Sequence, residues 1–220
     1  MENKTYFTKI VEEYKKATDY NEELYQNVGK KLYEILFGKV VDFGNGGVIN
    51  YDTRRIKKLI CVDIIFENKS ISNNKTDFVF GNFYDINYSC KADCVLAQVL
   101  LHHLTDDKKL RKSLSKVKAV LNENGKFIIV EVAFPRFLEL FQNIAKPILF
   151  NILAMMKKPS LRFLSVKSIL ALLIEAGFNN IQIQYIATGK RVSPAPVLFP
   201  KLRIPGKLYP FRHILIEANK

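Results

Sequence analysis

Short apolar runs alternate with polar segments of helical periodicity along most of this sequence, and this alternation restricts the fold more than any other feature. Val, Ile, Phe and Cys fill the first five runs almost continuously, as expected of strands covered on both faces. Seven runs have the character of strands: 39–43, 59–64, 77–80, 93–99, 126–132, 181–186 and 211–218. Strands that take turns with helices predict an α/β fold with a doubly wound, mostly parallel, Rossmann-like sheet.

Helices are predicted before and between these runs. Apolar residues in 1–37 have helical spacing, which indicates an N-terminal helical extension. A second helix is expected at 106–121, with Thr105 as its N-cap. A third is expected at 165–176, ended by Gly177 in the left-handed conformation.

Charge is distributed unevenly over the chain. Residues 1–133 hold 21 Lys and Arg against 18 Asp and Glu, whereas residues 134–220 hold 13 against 3. A half this basic favours an anionic partner, such as a phosphorylated substrate, a lipid surface or a nucleic acid. A lysine-rich proteome would explain the net charge of +13, but it explains the asymmetry less well.

The cysteines indicate a reducing compartment. Cys61, Cys90 and Cys94 are odd in number and two of them lie in apolar runs, which favours free thiols over disulfides. The N-terminus lacks the apolar stretch of a signal peptide, and no apolar run reaches the ~20 residues of a membrane span. We therefore expect a cytoplasmic protein, and we predict no metal site.

The first strand leads into a turn with few side chains. Asp42 ends the apolar run and is followed by three glycines, Gly44, Gly46 and Gly47. Such a turn lets a ligand lie against backbone N–H groups, here at the start of a helix expected near Val48. The second strand ends at Asp63, 21 residues after Asp42. This is close to the ~20-residue spacing at which an acid meets ribose hydroxyls.

The turn does not fit a dinucleotide. The fingerprint G-x-G-x-x-G would need glycine at position 49, where this chain has Ile49. Asp42 would also repel an anionic pyrophosphate, whereas it would attract a cation. A cationic ligand is therefore favoured.

The acid-x-Gly-x-Gly turn resembles that of class I S-adenosylmethionine-dependent methyltransferases, whose cofactor carries a sulfonium and an ammonium and no phosphate. The resemblance covers roughly 38–133 and 165–220. Besides the turn, it rests on GNFYDIN (81–87), ADCVLAQVLLHHLTD (92–106), VLNENGKFIIVE (120–131), LLIEAGFNNIQI (172–183) and FRHILIEANK (211–220). One departure is Val48 in place of the usual third glycine, partly offset by Gly47.

This resemblance implies a seven-stranded sheet with an antiparallel last strand, within a single methyltransferase domain. Its parts would be N-terminal helices (1–37), a cofactor-binding half (38–133), a substrate lid (134–164) and a C-terminal, substrate-side half (165–220).

The resemblance also assigns residues to the cofactor. Gly44, Asn45 and Gly46 would lie against the methionine part of the cofactor, and Asp42 would reach its ammonium. Asp63 would bind the ribose diol, and the adenine would be held by Ile64, Asn82 and Phe83. The methyl-transfer chamber would be bordered by Gln98 and Val99. Each of these residues also has a plainer interpretation, as a cap, a tight turn or a packed side chain.

A general base is required only if the acceptor must lose a proton, as a hydroxyl does. His102 and His103 follow the fourth strand directly, and imidazole titrates near neutral pH, so both are candidate catalytic residues. Either could instead pack under the following helix. Glu131, at the end of the fifth strand, could orient an acceptor or be the buried partner of an Arg.

The acceptor is inferred mainly from the segment 134–164. It is apolar and basic and contains three prolines, which predicts broken amphipathic helices. Its composition is that of an interfacial helix whose cations meet anionic headgroups. This favours a lipid-like or lipid-linked acceptor, with peripheral contact to the inner face of an anionic membrane. A lid packed on the sheet or on a second subunit would give the same pattern.

We therefore predict an enzyme that transfers a methyl group from S-adenosylmethionine to a small-molecule or lipid-like acceptor, at oxygen, and releases S-adenosylhomocysteine. One alternative is an RNA methyltransferase that grips phosphates with the basic half. The chain lacks the Asn/Asp-Pro-Pro-aromatic tetrapeptide of many amino-group methylating enzymes, which disfavours it. The other is a non-catalytic regulator that binds the cofactor.

Overall fold

The computed structural model describes residues 21–46, 48–64, 74–86, 91–156, 160–193 and 202–220. In this part of the chain the helices are α1 (Glu22–Ile35), α2 (Asp107–Val120), α3 (Arg136–Met155) and α4 (Val166–Glu175), with 3-10 turns at Leu101–His103 and Gly206–Leu208. The strands are β1 (Gly38–Phe43), β2 (Ile56–Asp63), β3 (Thr76–Phe80), β4 (Ala92–Gln98), β5 (Leu121–Ala133), β6 (Asn179–Ile186), β7 (Arg191–Val192), β8 (Ile204–Pro205) and β9 (Arg212–Asn219).

Seven of these strands form one sheet in the order β3-β2-β1-β4-β5-β9-β6. Neighbours from β3 to β5 pair in parallel, and β9 runs antiparallel between β5 and β6. The predicted mostly parallel sheet with an antiparallel last strand is confirmed. The strand order reverses between β1 and β4, so the carboxyl ends of these two strands flank the crevice where open α/β sheets bind ligands.

Helices cover both faces of the sheet. On one face α2 and α4 bury Leu110, Leu114, Ile169 and Leu173 in a core with Phe127 and Ile129. On the other face α1 buries a stripe of residues spaced by four, Leu24, Val28 and Leu32, against Val40 and Leu96. Full burial of a leucine contributes roughly 1.5–3 kcal/mol, so this stripe holds α1 firmly on the sheet.

The connection between β1 and β2 differs from the prediction. The sequence predicts a helix that begins near Val48, but the described residues 48–55 form bends and turns without a helix. The face that such a helix would cover is occupied by α1, and Tyr51 packs into the same core. Gly29 of α1 permits the close approach, because a Cβ at that position would lie 3.0 Å from the carbonyl oxygen of Asn50.

The ends of two helices can be compared with their predicted caps. Asp106, rather than Thr105, caps α2, and its carboxylate accepts a hydrogen bond from the backbone N–H of Lys108 at 2.8 Å. The α4 boundaries agree with the prediction. Ser165 caps its start, and Gly177 follows its end with φ +80°.

One segment predicted to be irregular is more ordered than expected. Residues 136–155 form the single helix α3 rather than broken helices, because Pro147 removes one hydrogen bond without ending the helix. The long connection after β6 contains a short antiparallel pair, β7 with β8.

Some expectations fall outside the described residues, namely those for Gly47, Cys90, Pro159 and the first 20 residues. Cys61 and Cys94 are buried free thiols, as predicted, and burial raises the pKa of Cys61 to about 12 and that of Cys94 to about 11. Of the helices described, none combines the length and the apolar character needed to cross a membrane.

Candidate active site

Three strands bring the predicted ligand-binding residues to one edge of the sheet. Phe43 at the end of β1 pairs with Val62 on one side and with Ala97 on the other. The residues that follow these three, Gly44, Asp63 and Gln98, therefore lie side by side at the carboxyl edge. This is the arrangement expected when neighbouring parallel strands end in register.

The glycine bend, defined as Gly44–Gly46, requires its glycines. Gly44 has φ +73° and Gly46 has φ +61°, backbone conformations that L side chains rarely adopt. A Cβ on Gly44 would also lie 2.6 Å from Cδ1 of Leu100, whereas a Cβ on Gly46 would meet no atom within 4 Å. The bend thus packs closely on the residues after β4 at Gly44 and is open at Gly46.

Asp63 ties the second strand to this bend. Its Oδ2 accepts a hydrogen bond from the backbone N–H of Gly46 at 2.8 Å. The backbone N–H of Gly44 donates to the carbonyl of Val62 at 2.8 Å. Asp63 is half-buried at the edge. Its predicted contact with ribose remains compatible with this position.

Asp42 lies beneath the bend and is fully buried. Its Oδ2 accepts a hydrogen bond from the hydroxyl of Tyr51 at 2.7 Å and a longer one, 3.3 Å, from Nδ2 of Asn45. Its Oδ1 has no hydrogen-bond partner among the residues that the structure describes. Burial is the main cause that raises the pKa of Asp42 to about 7. A buried, unpartnered carboxylate oxygen is rare in proteins, and it suits a cationic ligand group.

The residues predicted to hold an adenine occupy two different environments. Ile64 is half-buried and Asn82 is exposed, both at the carboxyl edge. Phe83 is buried in the core instead, where its ring stacks on Phe43 at a centroid distance of 4.4 Å. The structure therefore brings Ile64 and Asn82 to the surface of the edge, and the adenine contacts of all three stay predictions.

The exit of β4 carries a strained residue. Val99 has φ +51°, which is unusual for a β-branched side chain. Its backbone N–H donates to the carbonyl of Val130 at 2.7 Å. Gln98, just before it, donates from Nε2 to Oδ1 of Asn50 at 3.2 Å. Strain of this kind clusters at functional sites, so it supports the assignment of this edge as the site.

His102 and Glu131 form a hydrogen-bonded pair beside this edge. Glu131 is fully buried, and its Oε1 lies 2.8 Å from Nδ1 of His102. Its other oxygen, Oε2, accepts from the backbone N–H of Leu101 at 3.0 Å. Glu131 is thus the partner of a histidine rather than of an arginine. A carboxylate at Nδ1 fixes the tautomer and leaves Nε2 as the basic nitrogen.

His103 differs from its neighbour. The two imidazole rings lie 4.1 Å apart, and burial holds the pKa of His103 well below its usual range. His103 is therefore neutral at physiological pH and a weaker base than an ordinary imidazole. His102, whose side chain is 14% exposed, has the better geometry for taking a proton.

Sequence reasoning did not identify Tyr51, Asn50 and Leu100 as members of this site. Tyr51 and Asn50 were missed because a helix was expected where they lie. Leu100 was missed because an apolar residue after a strand resembles any core residue. No local pattern marks these three positions, since each acts through a partner distant in sequence.

Known proteins share both the sequence pattern and the fold. Residues 41–129 match a family described as a methyltransferase domain. No curated protein matches the sequence significantly.

Among solved structures, an S-adenosylmethionine-dependent methyltransferase from Thermotoga maritima has a TM-score of 0.64 at 18% identity, over 98% of this chain and 99% of that one. A second is a 1,6-didemethyltoxoflavin N1-methyltransferase from Burkholderia thailandensis, solved with bound 1,6-didemethyltoxoflavin and S-adenosylhomocysteine. Its TM-score is 0.66 at 15% identity, and the match covers 97% of this chain and 86% of that one. A third is the N-methyltransferase NodS from Bradyrhizobium japonicum in complex with S-adenosylhomocysteine. Its TM-score is 0.58 at 11% identity, and the match covers 90% of this chain and 86% of that one. At these identities the likeness establishes the fold.

Proposed function

We propose that this chain is a class I S-adenosylmethionine-dependent methyltransferase that transfers a methyl group to a hydroxyl oxygen of a small, lipid-like acceptor. The observation that carries the proposal is the buried carboxylate of Asp42, with an unpartnered oxygen, beside a glycine bend and one strand away from Asp63. A site of this composition suits a cationic sulfonium compound that also contains a ribose.

S-adenosylmethionine is the cofactor in this proposal, and when bound it supplies an electrophilic methyl group on its sulfonium. Asp42 would meet the ammonium, and the glycine bend would accommodate the methionine part without side-chain obstruction. Asp63, whose Oδ2 accepts from the backbone N–H of Gly46, would bind the ribose diol. Ile64, Asn82 and Phe83 are assigned to the adenine, and Gln98 and Val99 to the border of the acceptor chamber.

The protein has limited chemical work to do in such a transfer. Its main contributions are to hold the acceptor oxygen in line with the methyl group and to exclude water. A hydroxyl acceptor must also lose its proton, and we assign Nε2 of His102 to receive it. Glu131 would stabilise the imidazolium that forms, because its buried carboxylate is hydrogen-bonded to Nδ1. The oxygen target rests on this pair.

The lipid-like acceptor rests on helix α3. One side of α3 presents a continuous apolar stripe to solvent, called here the α3 stripe: Phe137, Leu140, Phe141, Ile144, Ile148, Ile152 and Met155. Ile144 alone is 84% exposed. The single acid of the helix, Glu139, is buried and accepts a hydrogen bond from the Ser168 hydroxyl at 2.8 Å. The exposed side of α3 therefore carries no carboxylate.

Cations accompany the α3 stripe. Arg136 and Lys146 belong to the helix, and Lys157 and Lys158 follow it in the sequence. An exposed apolar stripe with cations and without acids suits the interface of an anionic bilayer. We infer peripheral membrane contact through α3, which would place the active site near acceptors held in the membrane.

A transfer assay with three acceptor preparations tests the proposal. Radiolabelled S-adenosylmethionine is incubated with the protein and either a total membrane lipid extract, an RNA preparation or a mixture of water-soluble metabolites. We expect label in the organic phase with the lipid extract. Label on RNA, falling steeply as salt is raised, would favour the RNA alternative instead. Calorimetric binding of S-adenosylhomocysteine without transfer to any preparation would favour the regulator.

A further inference from the structure

Tyr51 connects the N-terminal helix to the cofactor edge. It is buried in the core that α1 forms with the sheet, and its hydroxyl donates to Oδ2 of Asp42 at 2.7 Å. Gly29 of α1 makes room for this connection, since a Cβ there would lie 3.0 Å from the carbonyl oxygen of Asn50, the residue before Tyr51. Tyr51 thus packs in the core formed by helix α1 and is hydrogen-bonded to Asp42.

We propose that Tyr51 is a positioning residue of the cofactor site, whose hydroxyl donates to Oδ2 of Asp42, stabilises the charged form of this side chain and leaves Oδ1 available to the ammonium group of the cofactor. The inference rests on the proposed function, because it concerns the same cofactor. Two observations support it. Asp42 is fully buried with Oδ1 unpartnered among the described residues, and the contact from Tyr51 is shorter than the 3.3 Å contact from Asn45.

The charged and titratable groups around Asp42 are few. Asp63 on β2 repels its carboxylate and raises the pKa, whereas Tyr51 and Asn45 donate hydrogen bonds and lower it. Cys61, also on β2, is a thiol whose own pKa is raised to about 12, so it stays neutral. The side chains that α1 contributes to this core are apolar. Burial outweighs these influences, and the pKa of Asp42 rises to about 7.

This environment makes cofactor binding depend on pH through Asp42. Below about pH 7 the side chain is largely a neutral acid, and above it a carboxylate. Only the carboxylate attracts an ammonium group. The Tyr51 hydroxyl stabilises the carboxylate, since hydrogen bonds to charged acceptors are stronger than those to neutral ones. Loss of the hydroxyl should therefore raise the pKa of Asp42 and move strong cofactor binding to higher pH.

Calorimetry with S-adenosylhomocysteine at pH 6, 7 and 9 tests this, using the wild type and Tyr51→Phe. We expect Tyr51→Phe to bind roughly 5- to 50-fold more weakly than the wild type at pH 7, and within about threefold of it at pH 9. The amino group of the ligand titrates identically with both proteins, so it cancels in the ratio. Tyr33→Phe is the matched control, because Tyr33 lines the same cleft of about 540 Å³ as Tyr51.

A merely structural role for Tyr51 predicts a different result. Tyr51→Phe would then weaken binding by the same factor at every pH, or would leave it unchanged, and either outcome overturns the proposal. A wild type that binds no S-adenosylhomocysteine at any pH contradicts the proposed function itself. A wild type that binds while the Tyr51→Phe ratio stays constant with pH contradicts the Tyr51 inference alone.

A second measurement keeps the inference testable if Tyr51→Phe does not fold. Carbon-13 NMR of the aspartate carboxyls in the wild type should show one group that titrates near pH 7 and is absent from Asp42→Asn. Its midpoint should fall when S-adenosylhomocysteine is added, because the ammonium favours the carboxylate. A midpoint that the ligand leaves unchanged overturns the proposal.

Discussion

Glu131 and His102, 29 positions apart in the chain, share a 2.8 Å hydrogen bond between Oε1 and Nδ1. The pairing of Gln98 with Val130 brings the ends of β4 and β5 together and so places these two side chains in reach. The backbone N–H groups of Leu101 and Val132 also donate to Glu131. These hydrogen bonds fix the buried carboxyl group of Glu131 in place, and it in turn orients the imidazole of His102.

Loss of His102 should abolish most of the methyl transfer while preserving the cofactor site. We expect His102→Asn to lower kcat by about 10²- to 10⁴-fold and Glu131→Gln to lower it by about 10²-fold, because the imidazolium loses its counter-charge. Affinity for S-adenosylhomocysteine should stay within about twofold of the wild type, by calorimetry. Lys109→Ala, on the exposed side of α2, is the control. Unchanged kcat in His102→Asn would remove this histidine from the mechanism.

Substitution of Asp63 or of Gly44 should abolish cofactor binding. Asp63→Ala should abolish measurable binding of S-adenosylhomocysteine, since the ribose loses its acceptor and the bend loses its link to β2. Gly44→Val should do the same, because φ +73° and the contact with Leu100 exclude a side chain. Asp77→Ala, an exposed acid on the adjacent strand β3, should bind normally. Normal calorimetric affinity in both site variants would contradict the assignment of this edge.

The start of α2 offers a stability comparison between adjacent residues. Asp106→Ala removes the cap and should lower the free energy of unfolding by about 0.5–2 kcal/mol, as measured by urea denaturation. Thr105→Ala should change it by less than about 0.5 kcal/mol, since Thr105 does not cap the helix. If Thr105→Ala lowered the free energy of unfolding more than Asp106→Ala, Thr105 would be the cap after all.

Asp42 should cost the folded protein stability at neutral and alkaline pH. The pKa of Asp42 is about 7 in the folded state against 3.8 for an ordinary aspartate. The folded state is therefore most stable, as far as Asp42 is concerned, below pH 3.8, where the side chain is neutral in both states. This stability is lost as the pH rises towards 7, because the unfolded state gives up the proton first. Asp42→Asn removes the titration and should be more stable than the wild type by about 2–4 kcal/mol at pH 8, with no such gain near pH 4. Thermal unfolding at the two pH values checks this; an equal effect at both would show that Asp42 does not titrate in this range.

Membrane contact should depend on the α3 stripe. Ile144→Asp and Ile148→Asp together should prevent the protein from sedimenting with vesicles that contain anionic phospholipid, because the stripe would carry charge into the interface. Both residues are exposed, so folding should be unaffected. The control is Ile174→Asp on α4, where Ile174 is 64% exposed outside the stripe.

Other results would assign the stripe differently. A wild type that ignores vesicles and forms dimers, dispersed by the same double substitution in light scattering, would make the stripe a contact between two copies of the chain. Sedimentation that persists in the double variant would place the membrane contact elsewhere on the basic half.

Much of the sheet was predictable from sequence because its signal is local. A strand buried on both faces must be apolar along its length, and β1, β2, β4 and β5 satisfy this within a few residues of their observed ends. The glycine bend and Asp63 were also visible, since their spacing follows from consecutive strands.

The unpredicted features depend on contacts between distant segments. A helix was expected to begin near Val48, but α1 occupies the space that it would need, and no local sequence pattern reveals this. The choice between His102 and His103 likewise depends on Glu131, whose Oε1 lies 2.8 Å from Nδ1 of His102. The continuity of α3 through Pro147 was missed because a proline weakens a helix locally, while neighbouring turns can still sustain it.

The place of β9 in the sheet has a consequence for biosynthesis. In the sheet, β6 pairs with β9 and not with β5. When β6 has been synthesised and β9 has not, β6 therefore has no strand to pair with. The gap closes only when residues 212–219 emerge and insert antiparallel between two strands already made. Nascent chains of this protein therefore expose unpaired strand edges on β5 and β6 until residues 212–219 have been synthesised, and chaperones would be needed most during this interval.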